Sequence, residues 1–352
     1  MILLAASRLN KFRSVVRWSS AAGCLLLLAG CYYTQALRGQ LEVLGKREPI
    51  AGILADPDTP AELARRLELV ADAREFAVTE LGLPDNGSYT TYADLERDFV
   101  VWNVFATPEF SLRPKQWCYP VVGCVAYRGY FREAAAASTA GRLGDAGYDV
   151  HVGGVSAYST LGRFEDPVLN TMMRWDDVQL VSVLFHELAH QVLYIKGDTA
   201  FNESFATAVE EFGVERYLRQ RGMEELYASY EERRELRRRL TAQVEAARAD
   251  LETYYGETID DDEKRLLKED RFERLEADLR VLLEQSGRDA DAFLARPFNN
   301  ARTVSFALYD GRLPEFRRIL ENCGDELGCF YDEVRRISEL DEAERNAALD
   351  AL

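Results

Sequence analysis

Residues 61–81 carry Leu63, Leu67, Val70, Ala77 and Leu81 at helical spacing behind Pro60, so the pattern predicts a helix there. Pro84-Asp85-Asn86-Gly87 closes it with turn chemistry. The period then changes. DFVVWNVFATP (98–108) and PVVGCVAYRGY (120–130) are rich in β-branched and aromatic residues and predict two strands, paired around a small cysteine loop. FREAAAASTAGRLGDAG predicts a short helix closed by glycine, and DVHVGGVSAYST (149–160) a third strand. From residue 176 onward nearly every segment is helical in period. Residues 222–290 are dense in Glu, Arg and Leu and are broken once near GETIDDDEK (256–264). That predicts two long antiparallel helices with a solvated charged face. NNARTVSFALYDGRLPEFRRIL (299–320) predicts an asparagine-capped helix, then Pro314 and another helix. A small mixed part followed by helices places the chain in the α+β class.

Composition narrows the function. At 352 residues, with 47% hydrophobic and 11% aromatic content, the chain can bury a sizeable core. A net charge of -17 argues against nucleic acid as a partner, because phosphates would be repelled. Arg8, Lys11, Arg13 and Arg17 form a basic start, followed by the apolar run AAGCLLLLAG. That run is well short of the ~20 residues needed to cross a bilayer, so residues 1–30 are expected to be a secretory signal. Leu28-Ala29-Gly30-Cys31 resembles the bacterial lipobox, which implies lipidation of Cys31 and a lipid-membrane partner through an N-terminal acyl anchor. Tyr32 follows where an inner-membrane retention signal would show Asp, so the expected location is the cell envelope, facing the periplasm from the outer membrane. Cys118 and Cys124 make one local pair and Cys323 and Cys329 another. In an oxidising compartment they read as two disulfides, and neither pair has the CxxC spacing of a zinc cage.

The chain has 3 histidines, and two of them stand in FHELAHQ (185–191). His186 and His190 are i and i+4 on the predicted helix, so their imidazoles share a face and can converge on one ion. Glu187 lies ~100° round the helix, within reach of a water on that ion. Asp176 or Asp177 can cap the helix, and Gly197 is expected to end it. Hydrolytic metal sites use three protein ligands and one open position. His190 precedes Gly197 by seven residues and Glu203 follows it by six. At ~1.5 Å rise per residue, Glu203 then stands level with His190 if the next helix packs antiparallel. Glu210, on the same face, is placed to accept a histidine N–H. His151, in an alternating strand, reads as structural.

HELAH followed by NESFA resembles the gluzincin metallopeptidases, in particular the alanyl-aminopeptidase-like group, with a shorter gap of twelve residues between His190 and Glu203. CYYTQALRGQ, YRGYF, GGVSAYSTLGRFEDPVLNTM, the HELAHQ–NESFA pair and NNAR…Y…PEF resemble, more narrowly, the bacterial Putative aminopeptidase family of lipoproteins. The resemblance implies a zincin-like small sheet with an active-site helix pair, followed by a mainly helical C-terminal half. It divides the chain into a signal (1–30), a catalytic region (31–221), a long helical hairpin (222–290) and C-terminal helices completing the site (291–352). It implies Zn²⁺ on His186, His190 and Glu203, with Glu187 as general base toward a peptide substrate. Tyr309, then Tyr158, is expected to steady the developing oxyanion. The strand bearing Gly153, Gly154 and Tyr158 is expected to hold an extended peptide as an added strand. That strand lacks the glutamate with which the larger group reads a free amine, so amino-terminal trimming and internal cleavage both stay open. A metal-holding envelope protein that binds a partner without catalysis is the alternative. A serine hydrolase is disfavoured, since no GxSxG elbow occurs.

Overall fold

The computed structural model describes residues 32–119, 123–310 and 312–352, with the side chains of all of these but 307–310. The expected signal and Cys31 lie outside the described residues. Two compact units divide the chain at Lys46 and Arg47. The described part of the first is helix α1 (32–45), which exposes Tyr33, Leu37 and Leu41 at four-residue spacing. Among the described residues no helix is long and apolar enough to cross a membrane.

The second unit is mixed α+β. It opens with strand β1 (Arg47–Pro49), helix α2 (Ile50–Ala55) and helix α3 (Ala61–Thr79). Leu67, Val70, Ala73, Phe76 and Ala77 form the buried side of α3, as the periodicity predicts. Strands β2 (Thr91–Ala93) and β3 (Val101–Pro108) follow. The single strand expected over 120–130 is divided. Strand β5 (Gly123–Val125) closes a cysteine hairpin with β4 (Trp117–Tyr119), while β6 (Tyr127–Tyr130) pairs with β3. The split has a local cause: Cys118 faces Cys124 in register and is bonded to it, which commits that end to its own hairpin. Helix α4 (Glu133–Asp145) is followed by Gly147 in the left-handed region, φ +80°.

Strand β7 (Tyr148–Val155) completes an antiparallel sheet in the order β6-β3-β7. A second small sheet orders β1-β2-β8, where β8 is Val168–Leu169. β7 ends at Val155, so Tyr158 lies past the strand instead of on it. The chain leaves the sheet because Asp166 gathers the following loop. Its carboxylate accepts from the Thr160 N–H and hydroxyl, both at 2.8 Å.

The rest is helical: α5 (Asp177–Val192), α6 (Thr199–Gln220), α7 (Glu224–Gly256), α8 (Asp261–Gln285), α9 (Ala290–Leu294), α10 (Asn300–Asp310), α11 (Leu313–Asn322), α12 (Leu327–Ser338) and α13 (Glu342–Asp350). Helices α7 and α8 form the expected hairpin. Leu240, Val244, Ala247 and Leu251 recur every three or four residues and meet Phe272, Leu275, Leu279 and Leu283. Asn299 caps α10 by accepting from the Arg302 N–H at 2.9 Å. The Cys323–Cys329 disulfide joins the end of α11 to the start of α12.

The core holds α5 between α3 and α6. Phe76, Phe185 and Tyr217 meet there with ring centroids 5.2 to 6.0 Å apart. Gly213 of α6 lets the helices close: a Cβ there would stand 2.6 Å from Leu81 and 2.9 Å from Phe185. Gly213→Val is therefore expected to destabilise the fold by about 1–3 kcal/mol through overpacking, read by urea or thermal unfolding.

Candidate metal centre

Helix α5 opens on a capping box. The Asp176 carboxylate accepts from the Gln179 N–H at 2.9 Å, and the Gln179 side chain accepts from the Asp176 N–H at 3.3 Å. In the first turn Asp177 pairs with Arg65 at 2.7 Å and Arg66 at 3.0 Å. Val181, Leu184, Phe185 and Leu188 go into the core. Ser182, His186 and His190, four residues apart, are left on the face that meets α6.

The helix expected to run to Gly197 stops at Val192. Asn202 is the reason. Its side-chain oxygen accepts from the Ile195 N–H at 2.7 Å, and its amide donates to the Ile195 carbonyl at 2.8 Å. Both backbone groups of Ile195 are thereby taken out of any further helical turn. Gly197, φ +87°, turns the chain, and Asp198 caps α6 by accepting from the Phe201 N–H at 3.1 Å. Helix α6 then runs back along α5, with Glu203 beside His190 and Glu210 beside Ser182.

His186 Nε2 lies 3.2 Å from His190 Nε2. The two oxygens of Glu203 lie 3.3 Å from His186 Nε2 and 3.7 Å from His190 Nε2. These separations test the fit of a metal directly. Bonds of ~2.0–2.1 Å to a tetrahedral ion put neighbouring donor atoms about 3.4 Å apart. Two imidazole nitrogens and a carboxylate at that spacing suit a divalent ion. The three are the metal-competent His/Cys/Asp/Glu group among the described residues. Behind them, Glu210 accepts from His186 Nδ1 at 3.0 Å and from the Ser182 hydroxyl, fixing the ring with Nε2 forward. His190 lacks such a brace: its buried Nδ1 has no hydrogen-bond partner among the described residues.

The electrostatics follow from this packing. Burial disfavours the His186 imidazolium, but Glu203 and Glu210 outweigh it and raise the pKa to about 10. Burial, and then the charge on His186, pull His190 down to about 4. Burial would raise both carboxylates, yet the hydrogen bonds to His186 hold Glu203 and Glu210 below their ordinary range. His186 is thus the charged imidazolium of the cluster and His190 the neutral imidazole. Glu187 is pushed up to about 7 by burial, against the opposing charge of His186. It keeps a partly exposed surface, and the charge of Asp166 adds to the upward shift. Tyr89 stands near it, with a hydroxyl that is buried and lacks a hydrogen-bond partner among the described residues.

The other expected residues are spread more widely. Gly153 and Gly154 lie on β7, an edge of its sheet. Gly154 is explained by packing, since a Cβ would sit 2.5 Å from the Phe99 ring. The β7 carbonyls of Val150 and Val152 accept from Asn299 and Arg296, so that stretch of the edge is already covered. Tyr158 sits in the loop after β7, its ring 5.9 Å from Phe131. Tyr309 is on α10, which packs against α6, but its side chain lies outside the described residues. His151 is held neutral, lowered to about 4 by burial and then by Arg302 and Arg296. Sequence reasoning missed Ser182, Asn202 and Tyr194. Ser182 is four residues before His186 and so on its face. Asn202 directly precedes Glu203. Tyr194 is half-buried, its pKa raised by burial and by Glu203.

A model of the family described as Putative aminopeptidase matches residues 31–349. No curated protein and no solved structure matches the chain.

Two outcomes follow for metal binding. Glu210→Gln should weaken divalent-ion affinity about 10–100-fold, measured by competition with a chelating indicator. Because the ion must displace the His186 proton, held with a pKa of about 10, affinity should fall as pH falls below that value, by about one log unit per pH unit. Titration of metal into the protein between pH 6 and 9 measures that slope, and a flat profile would remove His186 from the ligand set.

Proposed function

Since this chain belongs to the Putative aminopeptidase family, we propose that it is a zinc-dependent peptidase of the gluzincin type. In this reading β6-β3-β7 with α5 and α6 form a zincin-like core. The convergence of His186, His190 and Glu203, with Glu187 one residue along the same helix, is the observation that carries the reading. A zinc ion on those three residues would supply Lewis acidity toward a scissile carbonyl and would acidify a water beside it.

The chain's own residues do the rest. Glu210 and Ser182 hold the His186 ring so that Nε2 faces the ion. Asn202 fixes the turn that sets Glu203 against the histidines. Glu187, poised near neutrality by burial, takes a proton from the attacking water and returns it to the leaving amine. The phenols of Tyr158, Tyr194 and Tyr309 are the candidates to donate to the developing oxyanion, and the pKa of Tyr194 is raised in part by Glu203. An acyl anchor on Cys31, with the chain held at a bacterial envelope membrane, completes the proposal. The exposed Tyr33, Leu37 and Leu41 on α1 support it, as a surface that a membrane interface would cover.

Glu187→Gln should keep the metal and lower turnover by about 10²–10⁴-fold, whereas His186→Ala should lose both. Metal analysis alongside digestion of a proteome-derived peptide library measures each. New amino termini one residue inside the starting ones would mark trimming, and internal ones would mark endopeptidase action. A metal-loaded wild type that cuts nothing in the library would sink the proposal.

A further inference from the structure

The arginines of α7 do not face solvent alone. Part of the charged stretch that patterning assigns to a solvated face is folded over a cavity of about 460 Å³. Ser182 and Glu210, the pair that braces His186, form part of its wall. Five arginines line it, Arg233, Arg234, Arg237 and Arg238 from α7 and Arg317 from α11, against Glu210 and Glu211.

The two glutamates are already engaged. Glu210 serves His186 and Ser182. Glu211 accepts from Arg234 at 2.9 Å and from Arg317 at 2.6 Å. Arg233 pairs with Asp176 at 2.5 Å and Arg238 with Glu235, and neither carboxylate lines this cavity. One lining donor remains. Arg233 Nη2 is buried and without a hydrogen-bond partner among the described residues. A buried donor left unmatched in a native protein calls for a partner. A guanidinium has no acceptor to offer, so what satisfies this wall is an acceptor, and an ionised one pairs with it most strongly.

The cavity does not stand alone. A second one, of about 940 Å³, shares Arg233, Arg234, Arg238 and Arg317 with it and continues to Arg239 and Arg288, with Glu231, Glu232 and Glu235 also on its wall. Seven arginines and five glutamates line the two, a modest excess of positive charge on a chain whose net charge is -17. A local reversal of that kind gathers anions while the remaining surface repels them.

We propose that this arginine-lined cavity binds a carboxylate of the peptide substrate, so that the enzyme acts on acidic peptides. The assignment of that carboxylate to a substrate rests on the peptidase reading, whereas the carboxylate site itself rests on the cavity.

The test uses the full chain, zinc-loaded and carrying Glu187→Gln so that bound peptide is not consumed. A fluorescent peptide rich in glutamate and its glutamine counterpart are titrated at low salt. The glutamate peptide should bind at least about tenfold more tightly, as charge-assisted pairing predicts. Arg233→Gln and Arg237→Gln should each erase most of that difference, and Arg233→Lys should restore part of it. Metal content and unfolding midpoint identify any variant that has merely lost its fold, and the other arginine then decides. Equal binding of the two peptides overturns the inference. So does a preference that survives both arginine changes. Inorganic phosphate that binds tightly without any preference for the glutamate peptide would assign the cavity to a free anion and overturn it too. Acid-selective binding by a wild type that cleaves nothing would keep the carboxylate site and remove the peptidase reading. Cleavage without acid preference would do the reverse.

Discussion

Two imidazole nitrogens and a carboxylate held 3.2 to 3.7 Å apart inside a protein form a concentration of lone pairs that only a shared cation can reconcile. One positive charge, the His186 imidazolium, meets part of the demand, its Nε2–H toward Glu203 and its Nδ1–H toward Glu210. A divalent ion meets it with more charge and a matching geometry. Everything around α5 and α6 serves to hold these atoms together. Gly213 allows close approach, the Phe76–Phe185–Tyr217 cluster fixes the roll of the helices, and Asn202 fixes the turn between them.

The two histidines are not equivalent. His186 is braced from behind by Glu210, which is itself held by Ser182 and lies within the field of Arg237. His190 depends on packing, since its rear nitrogen has no partner among the described residues. The chain therefore orients one ligand by hydrogen bonding and the other by the apolar environment of α5. The brace on His186 also joins the centre to the arginine tract, because the same Glu210 forms part of the cavity wall. Ligand orientation and anion recognition thus share one helix interface.

Much of the fold was legible because hydrophobic period records which face of an element is buried. The α3 and α7–α8 patterns matched because each helix presents an apolar stripe to the core. The departures occurred where side chains compete for backbone groups. Asn202 stops α5 at Val192, Asp166 draws the chain out of β7 before Tyr158, and the cysteine bond diverts residues 123–125 into a separate hairpin. Periodicity does not carry that competition, since the partner lies elsewhere in the chain or depends on a local geometry that folding creates.

By itself the sequence determined that His186 and His190 share a helix face, that Glu187 follows the first of them, and that Glu203 heads a second helix, because these are consequences of the 3.6-residue turn and of a short connection. It also determined the local pairing of the cysteines, and it left the α5 cap between Asp176 and Asp177, which the fold resolves as Asp176. The tertiary structure alone decided that Ser182 stands behind Glu210, and that Asn299 and Arg296 cover the edge of β7. It also decided that arginines patterned for solvent close over a cavity beside His186. A charged side chain has no fixed preference between water and an anion. Which one it meets is settled by the helices that pack beside it, and that packing is a property of the whole chain.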